Sequence, residues 1–165
     1  MKRSRLTVFL ALAALVVILV TVISTTIPYF ATSTTQQHSD YSNYLTQSTD
    51  KSVELTRQYQ DEIGFWIQGN YTNATMAKIT ESFLPRFINQ LNEFNGTKAP
   101  EEYNTVKENF VKSFASEVKS YELFREYLIT NNSTKNELST DYLSDALTFE
   151  TIARDAFAQI NNSTR

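Results

Sequence analysis

Seven asparagines in this chain of 165 residues stand in the pattern Asn-x-Ser/Thr, with x other than proline, which is the acceptor for N-linked glycans. Two of them fall back to back in the stretch GNYTNATM, which covers residues 69–76. Random placement of the Asn, Ser and Thr residues would produce roughly three such patterns, so seven is an excess. The acceptor residues are Asn70, Asn73, Asn95, Asn131, Asn132, Asn161 and Asn162.

These acceptor patterns predict a glycoprotein, with glycans on side-chain amides at the ends of helices, where a bulky polar adduct fits. Asn131 overlaps Asn132, and Asn161 overlaps Asn162, so we expect one acceptor of each pair to be used. A second interpretation stays open, because Asn, Ser and Thr are also the residues that cap helices and form turns.

Other chemistry has few residues to work with. The chain has no Cys, which excludes disulfides, thiolate nucleophiles and Cys-type zinc sites, and its one histidine, His38, cannot supply a di-iron site. We interpret His38 as a solvated linker residue. The adjacent acids at 61–62 and 101–102 are typical of solvated helix faces, and the three glycines are isolated and form no phosphate loop. We therefore predict no catalytic residue, no metal and no cofactor: the protein is not an enzyme.

An uncharged run, LTVFLALAALVVILVTVISTTI, covers residues 6–27 and is long enough, at roughly 33 Å as a helix, to cross a bilayer. Tyr29 and Phe30 follow where an interfacial aromatic belt would lie, and Lys2, Arg3 and Arg5 precede the run. The positive-inside rule thus predicts a cytoplasmic tail at 1–5 and a single-pass signal-anchor helix in the lipid bilayer at 6–30. A cleaved signal peptide is the alternative, but its apolar region would be shorter. Either way, the remainder is extracytoplasmic.

The exported part is acidic. Beyond the three basic residues of the tail, 12 Lys or Arg face 18 Asp or Glu, so the domain has no electrostatic footprint for nucleic acid. An exported domain without Cys and rich in Asn and Thr is typical of an archaeal cell surface more than of a eukaryotic secretory protein. A bacterial origin remains open.

Helical periodicity then organises the rest of the chain. Residues 31–39 are polar and predict a tether or a frayed helix start, and residues 40–165 contain four amphipathic segments joined by short connections. Gly69 and Gly96 end the first two segments, and Pro85 is expected to kink the second without breaking it. A capping box, Thr134 to Glu137, is expected to open the fourth. The apolar stripe of the fourth segment is predicted to contain Leu138, Tyr142, Ala146, Phe149, Ile152, Ala153, Ala156, Phe157 and Ile160.

The fold class that follows is all-α, with one transmembrane helix and then an antiparallel up-down-up-down four-helix bundle. Phe65 and Trp66 form a candidate patch for a protein partner, and close packing of this stretch against a neighbouring helix is the alternative. We expect a structural or accessory subunit of a membrane or cell-surface complex that acts by protein–protein contact. The alternative is a small-ligand sensor that signals through a separate membrane partner. Its plan is similar, in architecture alone, to the extracytoplasmic four-helix domains of chemoreceptors.

Overall fold

The structure, a computed structural model, describes residues 33–163. Within this range the chain forms four α-helices, and no β-strand occurs there, so the all-α prediction is confirmed. The helices are α1, Ser33–Ile67, α2, Asn73–Gly96, α3, Asn104–Thr130, and α4, Ser133–Ser163, with a 3₁₀ turn at Glu101–Tyr103.

The predicted tail at 1–5 and anchor helix at 6–30 lie outside the described residues. Within 33–163, no helix combines the length and the apolar character that a membrane span needs. The sequence predicted a polar tether or a frayed helix start at residues 31–39. Residues 33–39 are helical and form the start of α1. His38 explains part of this extension, because it contacts residues of the 3₁₀ turn and so ties the start of α1 to the rest of the molecule.

Each helix packs antiparallel to its neighbours in the chain. As the residue number rises along one helix of a contacting pair, it falls along the other. The pairs that show this are Tyr59–Thr80 and Tyr44–Thr97 for α1 and α2, Phe87–Tyr121 and Phe94–Phe114 for α2 and α3, and Ser120–Ser139 and Ser113–Ala146 for α3 and α4.

The molecule thus has two ends. We call the end that carries the connections at 68–72 and 131–132 the far end. The terminal end carries Ser33, Ser163 and the connection at 97–103. The first and the last helix are connected there, because the ring of Tyr103 contacts Tyr41 of α1 and Phe157 of α4.

Backbone conformation explains where the helices stop. Gly69 has a φ of 89°, and the N–H of Asn70 donates to the carbonyl of Phe65, which closes α1 with a left-handed turn. The prediction that Gly69 ends this helix is confirmed. Asn131 ends α3 in the same way with a φ of 55°, and asparagine tolerates this region better than other residues with a Cβ. The helix α2 continues through Pro85, as predicted; the bend itself stays a prediction.

The core is built around aromatic rings. Tyr59 is fully buried, its ring contacts Phe87 and Tyr121, and its hydroxyl lies 2.8 Å from the hydroxyl of Thr80. A second group of buried side chains, around Phe94, fills the terminal half. Apolar residues at helical spacing in α1, α2 and α3 supply most of the buried side chains.

The predicted stripe of α4 is correct in part, because Ala146 and Ala153 are buried and Phe157 and Ile160 pack against the core. Leu138 and Ile152 are exposed, and the buried face consists of Asn136, Ser139, Leu143, Ala146, Glu150 and Ala153. These residues recur at spacings of three and four, and several are small. Small side chains let two helix backbones come close, and α4 uses them to pack on α3.

Hydrogen bonds across this α3–α4 seam confirm the close approach. The hydroxyl of Ser113 donates to the carbonyl of Ala146 at 2.9 Å, and the hydroxyl of Ser120 donates to the carbonyl of Ser139 at 2.7 Å. A side chain as short as serine reaches the backbone of a neighbouring helix only when the two helices nearly touch. Leu138 and Ile152 of α4 are therefore turned outward.

Candidate functional site

The far end gathers four of the seven acceptor asparagines. Asn70 is exposed in the first connection, and Asn73 is the first residue of α2. Asn131 and Asn132 form the connection between α3 and α4 and are also exposed. Residues more than fifty positions apart in the sequence thus share one end of the molecule.

A hydrogen-bonded chain crosses this end. The indole N–H of Trp66 donates to Oδ1 of Asn73 at 3.0 Å, and Nδ2 of Asn73 donates to Oδ1 of Asn131 at 3.0 Å. The side-chain amide of Asn73 therefore accepts one hydrogen bond and donates another, and it links the end of α1 to the end of α3. Asn131 therefore has a structural role as the residue that ends α3, and Asn73 has one as a link between helices, while Thr72 caps α2 by accepting from the N–H of Thr75.

The remaining acceptor asparagines lie near helix ends, as the periodicity predicted. Asn132 caps α4, because its Oδ1 accepts from the N–H of Thr134 at 3.0 Å. The capping box expected to begin at Thr134 is thus wrong, and the cap lies two residues earlier. Asn95, Asn161 and Asn162 occupy the last turns of α2 and α4 at the terminal end.

The structure separates the two residues of the candidate partner patch. Phe65 is 45% exposed, and its ring contacts the edge of Tyr71. Trp66 is fully buried and packs against Phe124, so the prediction that it presents a surface to a partner is wrong. Adjacent residues on a helix point about 100° apart, and the stripe of α1 takes only one of them into the core.

His38 is also placed differently from the prediction. Its Nε2 lies 2.6 Å from Oε1 of Glu102, and its ring packs edge-on against Tyr103. The interpretation of His38 as a solvated linker residue is therefore wrong. This contact holds the start of α1 against the 3₁₀ turn.

A cluster of polar side chains in the middle of the bundle was missed in the sequence. Glu117 of α3 is buried, and its Oε1 accepts from the hydroxyl of Tyr121 at 2.6 Å and from that of Thr56 at 3.0 Å. A second buried carboxyl, Glu150 of α4, accepts from Arg154 at 2.6 Å. Three helices thus contribute polar groups to one region of the core.

Burial sets the electrostatics of this cluster. It raises the pKa of the Glu117 carboxyl to about 7; the hydrogen bonds from Tyr121 and Thr56 lower it in part, and the charge of Glu150 raises it. Burial also raises the pKa of Glu150, which Arg154 partly counteracts. The pKa of Tyr121 is raised well above its ordinary value by burial and by Glu117, so its hydroxyl remains protonated and donates.

A small cavity adjoins the two carboxyl groups. It offers about 20 Å³ to the centres of water molecules, which is room for about one water. Its polar lining consists of Thr49, Ser52, Thr56, Ser113, Glu117 and Glu150. Within residues 33–163, no group of three or more His, Cys, Asp or Glu side chains is arranged to hold a metal ion.

The sequence does contain a signal for this cluster. Glu117 stands three residues after Phe114 and four before Tyr121, in phase with the apolar stripe of α3. Glu150 stands four residues after Ala146 and three before Ala153, in phase with the buried face of α4. A charged residue in phase with a buried stripe is expected to be buried with it, so both could have been found by their register.

Comparison of the chain with protein-family models, with curated proteins and with solved structures finds no match. The functional interpretation therefore rests on the described residues and on the sequence.

Proposed function

We propose that this chain is a membrane-anchored, extracytoplasmic helical-bundle protein that acts by protein–protein contact. It would serve as a structural or accessory subunit of a membrane or cell-surface complex. Residues 6–30 would form the single-pass anchor with the amino terminus in the cytoplasm, and the up-down-up-down bundle would stand outside. The uncharged run of residues 6–27 and the basic residues before it support this topology.

The observation that carries the proposal is how completely the core is filled. Pockets for small ligands measure about 300 to 1,000 Å³. The cavity beside Glu117 has about 20 Å³, so this part of the core has no room for a metabolite. A bundle whose described residues fill the core in this way is suited to work through its surface.

Exposed apolar side chains favour the far end as the contact surface. Phe65 lies in the last turn of α1, Ile129 lies in the last turn of α3, and Leu138 lies in the second turn of α4. All three are among the large apolar residues that the bundle leaves exposed. Apolar groups that a domain exposes near one another are typical of protein contact sites.

Site-specific photo-crosslinking in native membranes tests this proposal. A photoreactive amino acid at Phe65 or Ile129 should give a discrete adduct with one partner protein. Ile152 is the matched control, because it is 43% exposed against 45% for Phe65, yet it lies towards the terminal end. Equal adducts from Phe65 and Ile152, or no adduct from any position, would contradict contact through the far end.

A groove on the outside of the bundle favours the second candidate, the small-ligand sensor. It runs between α1 and α2, has about 330 Å³, and is lined by Tyr44, Lys51, Gln90 and Glu93 among others. This volume is within the range of ligand sites. Recovery of the protein from membranes as a single species that carries a metabolite, with Lys51→Ala reducing the bound amount, would support the sensor over the contact subunit.

The proposed glycosylation can be resolved site by site. Asn70 is exposed in a turn, and its side chain makes no hydrogen bond within the described part of the chain, whereas Asn73 is held between Trp66 and Asn131. We expect glycan on Asn70 in preference to Asn73 when the modification acts on the folded domain. Intact mass and glycopeptide mapping of protein from its native host measure this, and an unmodified polypeptide mass would reject glycosylation.

A further inference from the structure

We propose that α4 joins two copies of this chain side by side and parallel, through a row of side chains on its outer surface. We call this row the outer stripe. It consists of Leu138, Tyr142, Asp145, Phe149, Ile152 and Ala156. Its occupant is a second copy of the chain, so this contact goes beyond the proposed contact of the far end with another protein.

The outer stripe has the spacing of a coiled-coil seam. Its positions alternate between steps of four and three residues over 138–156, which is the a and d pattern of a heptad repeat. Leu138 is 40% exposed and Ile152 is 43% exposed, while Tyr142, Phe149 and Ala156 are half-buried. The helix α4 therefore has two faces at helical spacing: one packs on α3, and the other is suited to pack on a further helix.

Lysines of α3 line one side of the outer stripe. The ammonium of Lys112 lies 5.7 Å from the centroid of the Phe149 ring. Lys119, which pairs with Glu122 of its own helix at 3.0 Å, also interacts electrostatically with Tyr142. These contacts place two positive side chains along the edge of the outer stripe that adjoins α3.

Acidic residues line the other side. The rotation of about 100° per residue puts Asp141 beyond Ile152, on the opposite side of the outer stripe from Phe149. Asp141 and Asp145 are both exposed, and no exposed residue of α4 within 133–162 is basic. The outer stripe thus separates a positive edge on α3 from a negative edge on α4.

These opposite edges determine the orientation of the second copy. When two such surfaces meet with their helices parallel, the two-fold axis runs along the helices, and the acidic edge of each copy faces the lysine edge of the other. When the helices are antiparallel, acidic edge faces acidic edge, and like charges repel. The charge pattern therefore favours the parallel pair.

The register of α3 against α4 matches this pairing. The seam hydrogen bonds place Lys119 at the level of position 140 and Lys112 at the level of position 147. In a parallel pair without stagger, Asp141 of one copy faces Lys119 of the other, and Asp145 faces Lys112. Asp145, the charged member of the outer stripe, thereby gains a cation across the interface.

The proposed anchor gives the same orientation. Ser33 lies at the terminal end, and the uncharged run of residues 6–27 precedes it in the chain. Two chains that are held in one bilayer by these segments would present the same end to the lipid and would stand parallel. This agreement rests on the proposed function, whereas the charge pattern does not depend on it.

Disulfide crosslinking of the full chain in membranes tests the pairing, since the chain has no Cys of its own. Ile152→Cys and Leu138→Cys should each give a dimer on mild oxidation, because a parallel pair without stagger places each position of the outer stripe opposite its own copy. Phe65→Cys is the matched control: it is 45% exposed against 43% for Ile152, lies off the outer stripe and should give no dimer.

An exchange of charges tests the two edges. Asp145→Lys should weaken dimerisation about tenfold in sedimentation equilibrium of the full chain in detergent micelles, because the two-fold axis repeats its clash with Lys112. Adding Lys112→Asp to this variant should restore the dimer. Asp50→Lys, an exposed substitution on α1, should leave dimerisation unchanged.

Three results would overturn the parallel dimer. The first is no dimer from Ile152→Cys or Leu138→Cys, or an equal yield from Phe65→Cys. The second is a disulfide that forms only between an Ile152→Cys chain and a Leu138→Cys chain, since this is the antiparallel pair. The third is a double charge exchange that stays as weak as Asp145→Lys alone. The dimer has the mass of two chains, so its loss is distinguishable from loss of the adduct expected between Phe65 and a partner protein.

Discussion

Replacing Glu117 by glutamine should change how the stability of the bundle depends on pH. Burial raises the pKa of this carboxyl from the ordinary 4.5 to about 7 in the folded chain. Between these values the folded state holds a proton that the unfolded state has lost. The stabilisation is therefore fully present below the unfolded pKa and is lost as pH rises through the folded pKa. At about 1.4 kcal/mol per pKa unit, the total loss is about 3 kcal/mol.

Glutamine keeps an oxygen that can accept from Tyr121 and Thr56 but cannot ionise. The free energy of unfolding of Glu117→Gln should match that of the unchanged protein near pH 4 and exceed it by about 3 kcal/mol near pH 8. Urea unfolding followed by circular dichroism, on the full chain in detergent micelles, measures both curves. Glu108→Gln, an exposed substitution on the same helix, should keep the original slope.

Equal slopes in the unchanged protein and in Glu117→Gln would refute this reasoning, because the difference between the two curves isolates the titration of Glu117. A variant that is less stable at every pH would also refute it. That result would mean that the ionised carboxylate of Glu117 stabilises the core, and that this stabilisation exceeds the free-energy cost of burying its charge.

Three further pairs of substitutions test the end of α3 and the packing of the helices. Asn131→Ala should lower the free energy of unfolding, measured in urea, by about 2 kcal/mol, because alanine is strained in the left-handed region and a hydrogen bond is lost. Asn131→Gly loses the hydrogen bond without the strain and should cost about half as much. Ser120→Leu should cost about 1 to 3 kcal/mol by forcing α3 and α4 apart, and Ser144→Leu, which is exposed, should be nearly neutral. Trp66→Ala should lower the stability by about 3 to 5 kcal/mol, and Phe65→Ala by less than about 0.5 kcal/mol; similar losses for the two would contradict their opposite burial.

Much of the fold could be predicted because large apolar side chains at helical spacing mark a buried face. Tyr59 and Phe94 follow this rule, and both lie in the core. Glycine at the end of α1 and at the end of α2 marked both helix ends correctly. These signals are local, so a single sequence contains them.

The face of α4 could not be found in this way, because its burial depends on the partner helix. Ser139 and Ala146 are buried since α3 presents Ser113 and Ser120 opposite them. Size alone would assign the core to Leu138, which is exposed. The complementarity of two small faces is a tertiary property, and it becomes visible only when the helices are placed together.

The same reasoning accounts for the polar cluster in the core. Periodicity counts apolar residues, so the sequence analysis passed over Glu117 and Glu150. Their partners come from α1 and from their own helices, and Thr56 stands 61 positions away from Glu117. A hydrogen bond over this separation cannot be read from spacing along one helix.

The α3–α4 seam makes the four helices mechanically unequal. Serine hydroxyls of α3 donate hydrogen bonds to backbone carbonyls of α4. The two helices therefore cannot slide past each other or separate without breaking these hydrogen bonds. The first helix holds the others through long rings and hydroxyls, and its backbone stays farther from theirs. A pulling force applied at Ser33 therefore acts first on the weaker contacts of α1. We expect α1 to detach from the bundle while α3 and α4 stay together as a helical hairpin.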